Sequence, residues 1–532
     1  MKKYLFIVFG ILLLSPICSS ASGINYGRIL SQTKDTILLR YGNTENPTYY
    51  NCIISNLSCI DLGKNTPEQT TAETIQTDLK PFTFSTSSTW KKNIHTRNFF
   101  LKNNKTGKIY KRSYKVSFWD LIGEEGMLSS FSPDGKKLVY LDDESGYPTL
   151  YQLDLSTLKG NTFKGKKIFT ESFTTSSFIL TSQNDLYFVS NKKNAYEWNL
   201  YKYNFTTKEI SLIATNASYA FRIRKFDNGF VFFVVKGSSS YPVFYDEQTN
   251  TIKNFTGINI NETVSTINRK EISFGGNMHG ALLTPENFNN DTQHTLLIWL
   301  HGGPYRQTAL AYHPYASYAV YDLILDELAK NNVMVLKLDY RGSYGYGKKF
   351  AEAIKENVGK GDVADVETAL TSIKKDFKIG DTYLMGNSYG GYLALRSIVA
   401  YPKQFTGAIS INGVTDWASM LSNLNNSIFN VDFNGKPSKK NKKIYNKASI
   451  ISRIPNLDNQ KIVLIQAQAD KTVPPAQADL LYSELKNQNK NVEFYPYADE
   501  DHVFKKNSSI NGICKNVFTT LSLPIENNCN FE

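Results

Sequence analysis

With 532 residues, 41% of them hydrophobic and 13% aromatic, the chain is long enough for two domains with their own cores, and too apolar to be disordered. Sixty basic against 48 acidic residues give a net charge of +12, spread along the chain and carried mostly by lysine. The one dense basic run, Lys436 to Lys447, has no nucleic-acid motif beside it and reads as a solvated loop, which excludes nucleic acid as a partner.

The first stretch, MKKYLFIVFGILLLSPICSSASG, joins Lys2 and Lys3 to an apolar run from Tyr4 to Leu14 and then to small residues. Ser15 and Pro16 end that run well short of the ~20 residues a membrane span needs. Residues 1–21 are therefore expected to be an export signal cut near Ala21, with no membrane insertion afterwards and a periplasmic or secreted destination. A lipid anchor on Cys18 would want a small residue where Ile17 stands. Losing Lys2 and Lys3 lowers the charge from +12 to +10.

Export leaves four cysteines, Cys52, Cys59, Cys514 and Cys529, and an even set in an oxidising compartment predicts disulfides. In YYNCIISNLSCIDL a hairpin centred on Ser55 and Asn56 sets Cys52 opposite Cys59. That leaves Cys514 to pair with Cys529 and to staple a C-terminal tail, residues 511–532.

From about residue 22 to 265 short runs rich in Tyr, Phe, Thr, Ile and Val alternate with Asn, Ser, Thr and Gly turns, the pattern of an all-β domain. Turns near 55, 105, 157, 207 and 249 are 50, 52, 50 and 42 residues apart. A four-stranded propeller blade takes about 40 to 50 residues, so the spacing predicts a β-propeller of about five blades. FSPDGKKLVYL, from Phe131 to Leu141, fits one blade: Pro and Asp-Gly form a tight turn that feeds an alternating strand.

From about 266 to 510 apolar runs alternate with helical patterns. TLLIWLHGGP, VMVLKLDYRG, DTYLMGNSYGG, GAISINGVTDW and KIVLIQAQAD each end in a loop bearing Gly or Asp. Buried strands alternating with helices predict a mostly parallel, doubly wound α/β sheet with its chemistry at the strands' carboxyl ends.

One of those ends is MGNSYGGY. Gly386, Ser388 and Gly390 form G-x-S-x-G, in which a serine at a sharp strand-to-helix turn is a candidate nucleophile. Such a serine needs a base and the base an acidic orienter. Of six histidines only His502 follows Ser388, as the Ser, Asp, His order of this sheet requires. Asp470, at the end of the last clear strand, is the expected orienter, preferred to Asp416, Asp458, Asp499 and Asp501. The oxyanion hole is expected from the backbone N–H groups of Tyr389 and of Gly303, in the HGGP loop. This chemistry needs neither metal nor cofactor.

LHGGP, DYRGSYGYG, GNSYGGY, GVTDW, the acidic strand end at Asp470 and DHVF stand in the order that resembles the prolyl oligopeptidase family of serine peptidases, most nearly its acylaminoacyl-peptidase and dipeptidyl-peptidase branches. The resemblance covers most of residues 266–505. It implies an α/β-hydrolase domain capped by a β-propeller that admits only short peptides. It also implies that Tyr389, Val414 and Trp417 line the pocket for the residue before the cut, and that Glu124 and Glu125, just ahead of Phe131, are candidates to hold a free substrate amine. Two features depart from the family: about five blades instead of seven or eight, and QAQAD at the acidic strand end. The expected function is that of an exported serine peptidase acting on short peptides. An esterase on the same fold and a non-catalytic peptide-binding propeller protein are the rivals, and a homo-oligomer stays open.

Overall fold

The computed structural model describes residues 28–41, 47–64, 81–91, 94–116, 129–144, 146–181, 185–218, 223–259, 265–275, 278–422, 429–525 and 528–531. The expected signal segment and the pair Glu124 and Glu125 lie outside them. Among the described residues no helix is long and apolar enough to cross a membrane.

Among the described residues the N-terminal half forms five antiparallel sheets, one of three strands and four of four, each a simple up-and-down meander. The first starts at Arg28, the second at Phe82, the third at Ser129, the fourth at Thr175 and the fifth at Arg224. Alternation puts one row of each strand onto a neighbouring sheet. Phe99 and Leu101 of the second sheet pack with Leu138 and Tyr140 of the third, whose Val139 and Leu141 pack with Phe178 and Leu180 of the fourth. Ile179 and Tyr187 of the fourth meet Phe230 and Phe232 of the fifth. Val231 and Phe233 of the fifth then meet Ile37 and Leu39 of the first, so the last sheet comes round to the first. Beyond the fifth sheet Thr256 forms a parallel bridge with Ser58 on the first, through Cys59 N–H to Thr256 O at 2.9 Å and Thr256 N–H to Leu57 O at 2.8 Å. Among the described residues these five sheets are the blades of a propeller, packed in the order second, third, fourth, fifth, first. The hairpin of the third and fourth strands of the first sheet sets Cys52 opposite Cys59, and the two are bonded, as are Cys514 and Cys529.

The C-terminal half holds one eight-stranded sheet, whose strands are numbered here along the chain: β1 (Asn268–Phe274), β2 (Met278–Thr284), β3 (His294–Leu300), β4 (Val333–Asp339), β5 (Ile379–Asn387), β6 (Gly407–Ile411), β7 (Lys461–Ala467) and β8 (Val492–Tyr497). Their spatial order is β1-β2-β4-β3-β5-β6-β7-β8, antiparallel at β1, β2 and β4 and parallel from β4 onward. β3, β4 and β6 are buried almost residue for residue because helices cover both faces, which is why they read as continuous apolar runs. Helix Asn507–Thr520 crosses the expected domain boundary at 510: Ile510, Ile513, Cys514, Val517 and Phe518 are buried in the sheet's core, so this stretch is no separate tail. The disulfide to Cys529 ties the last residues to that helix.

Candidate active site

Ser388 sits between the end of β5 and the helix Tyr389–Ala400, at φ 56° and ψ −120°. A non-glycine residue in that region is strained, and the surroundings hold it there. Its N–H donates to Ile411 O on β6 at 2.8 Å, and its carbonyl accepts from Tyr392 N–H at 3.0 Å in the first helical turn. The glycines around it are required by space. A Cβ on Gly390 would overlap the Leu300 carbonyl oxygen at the end of β3, one on Gly386 would overlap the Gly390 backbone, and one on Gly391 would lie 2.8 Å from Ser410 Oγ. The helix thus enters hard against β3 and β6, which lifts Ser388 above the sheet.

The HGGP loop folds back over this turn. A Cβ on Gly302 would stand 3.2 Å from Ser388 Cβ and from Asn387 O, so the loop backbone lies against the serine, with Gly303 next, at φ 123°. Its first residue, His301, is buried. Its Nδ1 lies 2.7 Å from Gly302 O and its Nε2 2.8 Å from Ser343 Oγ, so this imidazole is held inside the loop.

Asp470 follows β7, and its carboxylate is fully divided between partners. Oδ1 accepts from the N–H groups of Thr472 (2.7 Å) and Val473 (2.8 Å), and Oδ2 lies 2.7 Å from His502 Nδ1. The Asp470 side chain is inaccessible, whereas that of His502 keeps 11% of its surface, so the pair is buried on the carboxylate side and part of the ring stays open. The other acids are occupied elsewhere. Asp416 caps a helix through Ala418 and Ser419 N–H, Asp458 precedes β7, and Asp499 is exposed beside Lys506. Asp501 accepts from His502's own backbone N–H at 2.7 Å.

Asn412 is a site residue that sequence reasoning missed. It is buried just after β6, its Oδ1 accepts from Ala467 N–H at 2.8 Å, and its Nδ2 donates to the His502 carbonyl at 3.0 Å. Since Ser388 N–H bonds the preceding residue, Ile411, serine and histidine are registered on adjacent positions of one strand. An asparagine at φ 48° directly after an apolar run was the available signal.

Tyr389, Val414 and Trp417 are brought together in one buried aromatic cluster. The Tyr389 and Trp417 ring centroids are 5.8 Å apart, and Phe429 lies 4.7 Å from Trp417 and stacks parallel to Tyr389 at 6.4 Å. The Tyr389 hydroxyl donates to Asp362 Oδ2 at 2.7 Å; burial, and then the Asp362 charge, push this phenol far above its ordinary range and keep it a donor.

Residues 320–518 match the model of the prolyl oligopeptidase family. The rat acylamino-acid-releasing enzyme is 28% identical over 235 residues, 42% of this chain and 31% of that protein. The chain thus spans about a third of the length of that curated relative. The fold is shared more widely. A puromycin-hydrolyzing peptidase of Mycobacterium tuberculosis superposes with a TM-score of 0.65 at 12% identity over 96% of both chains. The dipeptidyl peptidase 4 of Porphyromonas gingivalis also gives 0.65, at 13% identity, over 90% of this chain and 67% of its own.

Proposed function

We propose, from the match of residues 320–518 to that family's model, that this chain is an exported serine peptidase that cuts short peptides through an acyl-enzyme on Ser388. The observation that carries the reading is the 2.7 Å contact of Asp470 Oδ2 with His502 Nδ1, over the same strand end that anchors the strained Ser388. Asp470 fixes the ring with Nδ1–H toward itself, which leaves Nε2 free to accept the Ser388 hydroxyl proton as Oγ attacks the peptide carbonyl. The N–H groups of Tyr389 and Gly303 receive the oxyanion. The proton on Nε2 then passes to the leaving amine. Water, deprotonated by the same nitrogen, hydrolyses the ester and regenerates the serine.

The rings of Tyr389, Trp417 and Phe429, with the aliphatic Val414 from the same core, give the residue before the cut an apolar wall. The propeller limits entry to short peptides. Two disulfides and the leader-like residues 1–21 support an oxidising, exported location.

Ser388→Ala tests the reading. Removing the nucleophile should lower kcat on a peptide p-nitroanilide by at least about a hundredfold and leave the melting temperature close to wild type. A serine-directed phosphonate should label wild type at Ser388 and leave the variant unmodified. Residual activity above a hundredth, or labelling elsewhere, would sink the assignment. Turnover of simple esters with no amide cleavage would point to an esterase.

A further inference from the structure

The loop that carries Gly302 and Gly303 is held at its far end by one carboxylate, which also stands beside the loop's first residue and is in turn held by the propeller. Asp339 ends β4 and is wholly buried. Its Oδ1 accepts from the Thr308 N–H at 2.8 Å and lies 3.3 Å from His301 Nε2. His301 and Thr308 bound the HGGPYRQT loop, so this one oxygen grips its far end and packs against its near end.

Oδ2 of Asp339 accepts from two hydroxyls, Tyr346 at 2.5 Å and Tyr196 at 2.9 Å. Tyr346 is seven residues further along the same domain. Tyr196 belongs to the other domain: it lies between the second and third strands of the fourth propeller sheet, Asp185–Ser190 and Asn199–Asn204. Its turn is rigid, because Asn194 Oδ1 accepts from the N–H groups of both Tyr196 and Glu197. From the same turn the Ala195 carbonyl accepts from Gln307 Nε2 at 2.8 Å, a second grip on the loop. Burial above all, then the Asp339 charge, raise the Tyr196 phenol well above its ordinary range, so it stays a donor at any working pH.

A buried carboxylate is stable only while its donors are in place. Without the Tyr196 hydroxyl, Oδ2 keeps Tyr346 alone, and the carboxylate relaxes toward its remaining partners, taking Thr308 with it and changing its packing against His301. Oxyanion donors act over a narrow range, and a displacement near 1 Å in a site of this kind costs about a hundredfold in rate.

We infer that Tyr196 is a positioning residue lent by the propeller, which acts through Asp339 to set the Gly302–Gly303 loop against Ser388. The propeller then contributes to the chemical step as well as to entry. The inference rests on the proposed serine chemistry at Ser388.

The test uses the full chain carrying Tyr196→Phe, with a peptide p-nitroanilide and with p-nitrophenyl acetate, an ester too small to need the propeller. Tyr147→Phe is the control: it removes a hydroxyl bond between the same two domains, Tyr147 to the backbone carbonyl of Tyr346 at 3.2 Å, and leaves both hydroxyls on Asp339 in place. Tyr196→Phe should lower kcat about tenfold or more on both substrates, with KM within about twofold, because ground-state binding is untouched. Tyr147→Phe should change kcat less than about twofold. A Tyr196→Phe kcat within twofold of wild type, a loss confined to the peptide with a raised KM, or an equal loss in Tyr147→Phe would overturn the positioning role. Wild type that turns over neither substrate would overturn the serine chemistry and the positioning role with it.

Discussion

At the scale of single residues, Asp432 is a group whose ionisation the fold opposes. It is buried, its Oδ1 accepts from the Tyr305 hydroxyl at 2.6 Å, and its Oδ2 has no hydrogen-bond partner among the described residues. Lost hydration pushes its pKa up to about 7, against smaller lowering effects of the Tyr305 bond and Lys355. An aspartate in an unfolded chain titrates near 3.9, so between about pH 4 and 7 the native state binds a proton that the unfolded state has released. Stability must therefore fall as pH rises through that window, by up to about 1.4 kcal/mol per pH unit. Asp432→Asn keeps the size and an acceptor for Tyr305 and removes the titration. By calorimetry its melting temperature should exceed wild type at pH 8, and the gain should disappear by pH 4. The same gain at both pH values would assign the effect to packing.

At the scale of elements, the parts legible in the sequence were those whose cause is local. Five apolar runs became β3 to β7, the serine turn declared itself by three glycines that have no room for a side chain, and the Cys52–Cys59 hairpin was given by its spacing. What stayed illegible depends on partners far away in sequence. Tyr196 and Asp339 are 143 positions apart, and nothing near either residue names the other. Asn441 lies within the lysine run expected to be a solvated loop. Its side-chain amide faces the carbonyls of Phe433, Gly435 and Lys436 at 2.9–3.1 Å, and the helix Lys442–Ala448 starts directly after it, so half of the run is helical with its lysines outward. Helix Asn507–Thr520 was hidden by its Asn- and Ser-rich beginning, although its buried face spans Ile510, Ile513, Val517 and Phe518. The disulfide that secures this helix lends itself to measurement. Replacing Cys514 and Cys529 by serine opens a loop of sequence separation 15, for which chain entropy gives a loss of about 3 kcal/mol. The Cys52–Cys59 loop, of separation 7, should lose about 2.5 kcal/mol. Denaturant titration of the two double variants should rank them in that order, and the reverse order would mean that loop length does not set the contribution.

For the whole molecule, what matters is how the ring is closed and what leans on it. Gly257, at φ 78°, lies beside the Ser58–Thr256 bridge, and a Cβ there would overlap the Cys59 carbonyl oxygen. Gly257→Val should therefore part the first sheet from the chain leaving the fifth. Limited proteolysis should then cut within residues 28–64 faster than in wild type, by about tenfold or more for a loss of 1.4 kcal/mol in closure. Unchanged cutting would show that the apolar contacts of Val231 and Phe233 with Ile37 and Leu39 hold the fifth sheet to the first unaided. That bridge also fixes an order of events. It joins positions 58 and 256, 198 apart, and contacts between such distant points form slowly. Both partners nevertheless precede β1, so a chain emerging from its N-terminus holds every strand of the ring before the first strand of the hydrolase sheet exists. At roughly 5–20 residues per second, the 275 residues after Gly257 take tens of seconds to follow, a head start for the slowest contact in the propeller. The turn that presents Tyr196 is then in place when Asp339 arrives, and the later domain assembles its catalytic loop against a finished template.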